Sequence, residues 1–195
     1  MKNKKIIFFI ILIILIIIGL FFFFRNNETK NFKIGNNTSS QEIVDYILNI
    51  NSYEAIIEVD VKSNKNENKY KIKQVYNGND NNSQEVLEPS NIAGVKLIRE
   101  GNTLKLGNSN LNLTNILQNY EYISDNALDL SSFIEDYKNN SNSKWEEKDN
   151  KILMKTSNRT LYINRENGLP EKMEFMDNGK KKAIYILYNE VNVNS

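Results

Sequence analysis

At 195 residues, with neither cysteine nor histidine, the chain can hold no disulfide, no zinc site built from Cys and His, and no histidine general base. Its 25 basic and 24 acidic side chains nearly cancel and form no basic stripe, which argues against nucleic acid as a partner. No cofactor is expected from these residue types.

The first element in chain order is Ile6 to Phe24, nineteen residues of Ile, Leu and Phe broken only by Gly19. At 1.5 Å per residue the run makes a helix of about 28 Å, enough to cross a hydrocarbon core of about 30 Å. It offers no polar face in any register, so it does not read as a helix of a soluble core. It is longer than the apolar part of a cleaved signal peptide, is followed by no Ala-x-Ala site, and has no cysteine to lipidate. An uncleaved signal anchor is the expectation. Lys2, Lys4 and Lys5 precede it and Arg25 alone follows directly, so the positive-inside bias places residues 1–5 in the cytoplasm. The remainder is then the extracytoplasmic part of a single-pass membrane protein: a polar linker over 25–38 and one domain over 39–195. Beyond Arg25 the chain carries 21 basic and 24 acidic groups.

Ordered structure is expected to begin with the capping box Ser39-x-x-Glu42, followed by Ile43, Val44, Ile47 and Leu48 at helical spacing through Asn51. Tyr53, Ala55, Ile57, Val59 and Val61 then alternate with Glu54, Glu58, Asp60 and Lys62, which is a strand with one face on a core. Tyr70, Ile72, Gln74 and Tyr76 alternate with lysines in the same way, so 53–63 and 69–77 form an antiparallel hairpin. Further strands are expected at 83–88, 94–100 and 103–107, with Pro89 as a break. From Leu111 the pattern loosens. Leu111 and Leu113 close a strand, and Ile116, Leu117, Tyr120 and Tyr122 read as helical or irregular. Leu130, Phe133, Ile134 and Tyr137 fall at i, i+3, i+4 and i+7, a second amphipathic helix over about 130–139 with Asp129 or Ser131 as its cap. The last third returns to strands at 144–149, 151–156, 159–164, 170–177 and 181–192. The reversals between them are Asp149-Asn150, Glu166-Asn167-Gly168 and Asp177-Asn178-Gly179. The result is an antiparallel meander with two helices laid on it.

Three fragments, Ser141-x-x-Lys144, Ser124-Asp125-Asn126 and Lys155-Thr156-Ser157, match the motifs of serine-active penicillin-recognising enzymes. Their order is wrong, and Ser141 stands in a polar linker instead of opening an apolar helix. Glu135, Glu146 and Glu147 have no spacing that implies a shared cleft with one raised pKa, so they read as solvated faces. The aromatic residues are more informative, because they favour partner surfaces as well as cores. On the last strand Tyr185 and Tyr188 have opposite parity, while Ile184, Ile186, Leu187 and Val191 leave neither face clearly polar. One face meets the helices and the other is available to a partner, with Tyr185 and Tyr188 as the contact residues. Ile47, Phe133, Ile134 and Tyr137 line or fill the space between helices and sheet.

The opening helix and hairpin, the Leu130-x-x-Phe133-Ile134-x-Asp136-Tyr137 helix, and Gly168-Leu169-Pro170-Glu171-Lys172 leading into Met173 to Met176 carry a resemblance, completed by Tyr188-Asn189-x-Val191. Over about 39–194 the chain resembles the LolA-type lipoprotein-carrier fold, and within it the clostridial germination protein GerS and its relatives. The resemblance implies an α+β fold, here preceded by one transmembrane helix: a curved antiparallel β-sheet, an incomplete barrel, with helices covering the concave side. It implies a non-enzymatic sporulation and germination role: binding an N-acetylmuramoyl-L-alanine amidase of the CwlD type and enabling it to modify spore cortex peptidoglycan at the forespore envelope. GerS-type proteins are lipoproteins, whereas this chain has Ile6 to Phe24 in place of a lipidated cysteine. The alternative is a lipid or lipoprotein carrier or sensor that uses a cavity between sheet and helices.

Overall fold

The computed structural model describes residues 34–194 apart from 36, 63–65, 79–80, 102, 109–110, 112, 119–127 and 178–181. All described elements lie within one unit, 32–195. Helix α1 (Ser40–Leu48) opens on the expected capping box. The Ser39 backbone N–H donates to Glu42 Oε2 at 2.6 Å and the Glu42 N–H returns to Ser39 Oγ at 3.2 Å. The bond from the Ser39 backbone holds the Glu42 carboxyl below its ordinary pKa. The helix stops at Leu48, short of the expected Asn51, because the Asn49 N–H bends back onto the last carbonyls as a cap.

Strands β1 (Ser52–Lys62), β2 (Glu67–Tyr76), β3 (Asn81–Glu88), β4 (Val95–Glu100), β5 (Thr103–Asn108) and β6 (Leu113–Gln118) follow. After α2 (Leu130–Asn139) come β7 (Lys144–Lys148), β8 (Lys151–Lys155), β9 (Arg159–Asn164), β10 (Pro170–Asp177) and β11 (Lys182–Asn194). The β7–β8 reversal has φ of 52° at Asp149 and 59° at Asn150, the left-handed pair that a two-residue hairpin turn requires. The helical or irregular reading of Ile116 and Leu117 is corrected. They belong to β6, where Leu117 opposes Leu104 and Ile116 opposes Lys105. Two adjacent apolar residues break strict alternation, which is what gave the pattern its helical look. Tyr120, Tyr122, Ser124-Asp125-Asn126 and Asn178-Gly179 lie outside the described residues.

The strands form a single antiparallel sheet in the order β6-β5-β4-β3-β2-β1-β11-β10-β9-β8-β7. This corrects the expected incomplete barrel. The row is open, with β6 and β7 at opposite edges, and it is not strongly curled. Eleven strands at about 4.8 Å spacing make a row about 48 Å wide, whereas helices of nine and ten residues are about 14 and 15 Å long. The helices therefore cover part of one face of an open sheet; they do not plug a concavity.

The expected transmembrane helix and single-pass topology are also corrected. Among the described residues no helix is long and apolar enough to cross a membrane, and the run 6–24 itself lies outside them. The extracytoplasmic localisation was read from that topology, which no described helix supports.

The core lies where the helices meet the sheet. Ile43, Val44 and Ile47 of α1 and Leu130, Phe133 and Ile134 of α2 pack on Tyr53, Ala55, Ile57 and Val59 of β1 and on inward residues of β8 to β11. Burying one such side chain is worth about 1.5–3 kcal/mol. Among the described side chains of β3 to β6, Leu104 alone is a buried hydrophobic residue. The sheet thus has a densely covered half and a sparsely covered half.

Candidate interaction surface

Strand β11 crosses the middle of the sheet between β1 and β10. Ile57 of β1 opposes Tyr188 while its neighbour Ile56 opposes Glu190, so Asn189 is an extra residue without a partner on β1. This bulge resets the alternation. Ile184, Ile186 and Tyr188 before it face the core, and so do Val191 and Val193 after it. The mixed pattern that left neither face of the strand clearly polar has two sources: the bulge, which moves Val191 and Val193 onto the parity of the core face, and Leu187, an outward leucine.

Tyr188 is therefore an inward residue, 7% exposed. Burial, assisted by the negative charge of Asp129, pushes its phenol far above the ordinary range, and its hydroxyl makes no hydrogen bond among the described residues. Tyr185 lies on the opposite face and is half-buried. The structure thus separates the two tyrosines: one anchors the strand to the core and the other looks outward.

Around Tyr185 the outer face is built from cross-strand neighbours. Tyr185 opposes Asp60 of β1 and Glu174 of β10, and Leu187 opposes Glu58 and Lys172. The ammonium groups of Lys62 and Lys172 lie 5.6 and 5.8 Å from the centre of the Tyr185 ring, and Lys172 is also 5.2 Å from that of Tyr162. These are cation–π separations. Tyr162 donates to Glu174 Oε2 at 2.9 Å, and partial burial together with that carboxylate raises its pKa. The hydrogen bond with Asp60 raises that of Lys62. Asn189, the bulge residue, donates to Glu58 Oε1 at 2.8 Å and so ties the bulge to this face. Beside Tyr185 and Leu187 runs a groove of about 500 Å³ lined also by Glu58, Asp60, Lys71 and Pro89. Leu187 is 47% exposed at its rim. An exposed leucine, an aromatic ring held between two cations and alternating charges suit the docking of another protein surface.

Beneath the two helices the inner face is filled by side chains. Ile47 and Phe133 are fully buried and Ile134 is 6% exposed, all in one core cluster. Tyr137 is half-buried, and its ring centre lies 6.0 Å from that of Phe133. Helix α2 is then fastened by polar groups that the sequence pattern did not single out. Asp129, 3% exposed, stands at the expected N-cap position but makes no capping bond. Its carboxylate is taken up by the sheet: Gln84 donates at 2.6 Å, Gln74 at 3.3 Å and Asn82 at 3.3 Å. Burial raises its pKa to about 6 against the opposing pull of Gln84 and the charge of Arg99. Tyr53 is held protonated by burial, with Asp129 and Tyr188 acting in the same direction. On the other side Arg159, 6% exposed, donates to Ser132 Oγ and O at 3.1 Å each and pairs with Asp136 at 3.1 Å. The available signal was Gln74, a polar residue in the otherwise aromatic and aliphatic inward row of β2.

The described parts of the enzyme-like fragments have ordinary structural places. Ser141 lies exposed in a turn and Lys144 on an edge strand, Lys155 pairs with Glu146 at 2.6 Å, and Ser157 Oγ accepts from Asn140. The Glu146 carboxyl is lowered by its bond with Lys155, the opposite of what a general acid needs, and Glu147 accepts from Ser40. Among the described residues no group of three acidic side chains could hold a metal ion.

The chain belongs to the sporulation protein YdcC-like family, whose model matches residues 3–195. No curated protein matches it. Among solved structures it is similar to a chain of the CwlD amidase from Clostridioides difficile in complex with the GerS lipoprotein. That match has 21% identity over 84% of this chain and 97% of that one, with a TM-score of 0.44. It is also similar to an uncharacterized conserved protein from Thermus thermophilus, with 13% identity over 81% and 89% of the two chains and a TM-score of 0.49. A LolA superfamily protein from Nitrosomonas europaea matches at 12% identity over 81% and 94%, with a TM-score of 0.42.

Proposed function

We propose that this protein is a non-enzymatic accessory factor of sporulation and germination that binds a cell-wall amidase of the CwlD type and enables it to act on cortex peptidoglycan. Membership of a sporulation family across nearly the whole chain carries the setting. The choice of an amidase follows the GerS-like motifs at Leu130–Tyr137, Gly168–Lys172 and Tyr188–Val191. A chain without histidine or cysteine lacks the usual means of a hydrolase, and an interior filled by Ile47, Phe133 and Ile134 favours docking by a surface over carriage of a lipid inside.

The contact surface in this reading is the outer face at Tyr185 and Leu187. The test is retention of the amidase by the immobilised full-length chain, with release of modified muropeptides from cortex as the second readout. Tyr185→Ala with Leu187→Ala should weaken binding by at least about tenfold, the loss of one hot-spot cluster, while Tyr188→Phe leaves affinity unchanged. An amidase neither retained nor stimulated would overturn the function. Full binding by the double variant would overturn only the surface.

A further inference from the structure

The two edges of the sheet are treated differently by the sequence. At one edge β7 reads Lys-Trp-Glu-Glu-Lys, four charges in five residues, which discourages another strand from adding to it. At the other, β6 reads Leu-Thr-Asn-Ile-Leu-Gln with no charge at all, and it has no second strand partner among the described residues. Next to it stand two exposed leucines, Leu106 of β5 at 43% and Leu111 of the β5–β6 loop at 65%. An edge of this kind presents a row of backbone donors and acceptors with nothing to repel a neighbour.

We propose that β6 pairs antiparallel with β6 of a second copy of this chain, about a two-fold axis perpendicular to the sheet at Asn115. The occupant follows from register and charge. Antiparallel pairing through a two-fold keeps each face of one sheet continuous with the same face of the other, so paired residue numbers must have an even sum. Centred on Asn115, the register sets Leu113 opposite Leu117 and Thr114 opposite Ile116, apolar against apolar and β-branched against β-branched. Centred on Ile116, it would set Asn115 against Leu117. Leu117 already opposes Leu104 in its own sheet, so the Asn115 register extends that pair into Leu113 of the second copy. A neutral strand matches itself without needing complementary charges, whereas a heterologous partner gains no selectivity from it. This inference is independent of the amidase reading.

The chain has no cysteine, which makes the test clean. Asn115→Cys places two thiols on the axis, where antiparallel Cα atoms lie about 4.5 to 5.5 Å apart, inside the span a disulfide accepts. In the full-length chain, mild oxidation should link Asn115→Cys at least about tenfold faster than Glu146→Cys at the centre of β7, because pairing raises the effective thiol concentration. Leu113→Cys and Leu117→Cys should each cross-link slowly alone and quickly when mixed. Asn115→Lys should sediment as a monomer with an unchanged circular dichroism spectrum, since Asn115 is exposed. Equal cross-linking at both edges, or a wild-type chain that sediments as the same monomer as Asn115→Lys, would overturn the proposal.

Discussion

Asp129 shows how one residue can have a position and a role that differ. Its place just before α2 marks it as a cap, and its backbone carbonyl does accept from the Phe133 N–H at 3.1 Å. Its carboxylate is drawn into the sheet by three side-chain amides, so the helix loses a capping bond and gains a tether. The tether has a pH signature. A carboxyl whose folded pKa is about 6 against an ordinary 3.8 binds its proton more readily in the folded state. The stability this confers is present in full below about 3.8 and is lost as pH rises through about 6, amounting to about 3 kcal/mol. Urea unfolding at several pH values between 4 and 7 should show this decline in the wild type, on top of whatever other groups contribute. Asp129→Asn should remove that component. Parallel pH profiles for the two proteins would show that Asp129 does not titrate in this window.

At the scale of elements, α2 is held by β2 and β3 through Asp129 and by β9 through Arg159. Phe133 and Ile134 supply the apolar contact, but Arg159 reaches from β9 to Ser132 and Asp136 and lies 5.8 Å from the Phe133 ring. Arg159→Ala should cost about 3 kcal/mol in chemical denaturation, since it leaves the Ser132 carbonyl without its donor and opens space beside Phe133. Arg159→Met, which restores the stem, should recover about half. Equal losses in the two variants would mean that packing contributes nothing there.

Much at this scale was legible. Alternation in β1 and β2, the Ser39–Glu42 box and the i, i+3, i+4, i+7 spacing of α2 are local signals written in adjacent residues. The Asn189 bulge was visible only as a change of parity between Ile184 and Ile186 before it and Val191 and Val193 after it, and β6 was masked by the adjacency of Ile116 and Leu117. Arg159 was not legible, and Asp129 was legible as a cap but not as a tether, because their partners lie 27 and 45 to 55 residues away and nothing local announces them. Of the two residues expected at the interaction surface, Tyr185 faces outward, while Tyr188 shares the parity of Ile184 and Ile186 and faces the core.

For the whole molecule, the uneven cover of the sheet sets an order of stability. The half that carries β1 and β9 to β11 holds most of the buried apolar residues, while β4 and β5 hold little beyond Leu104. Backbone amides of β4 and β5 should exchange with deuterium well before those of β1, β10 and β11, read by mass spectrometry of proteolytic peptides. Uniform exchange across the sheet would show that the two halves open together.

The central place of β11 has a further consequence during synthesis. Until that strand leaves the ribosome, the six strands from β6 to β1 and the four from β10 to β7 have no common ladder, and β1 and β10 end in open edges. A growing chain therefore carries four open edges where the finished one has two. The interval between translating β10 and β11 is when a cell making this protein has most to lose from crowded neighbours.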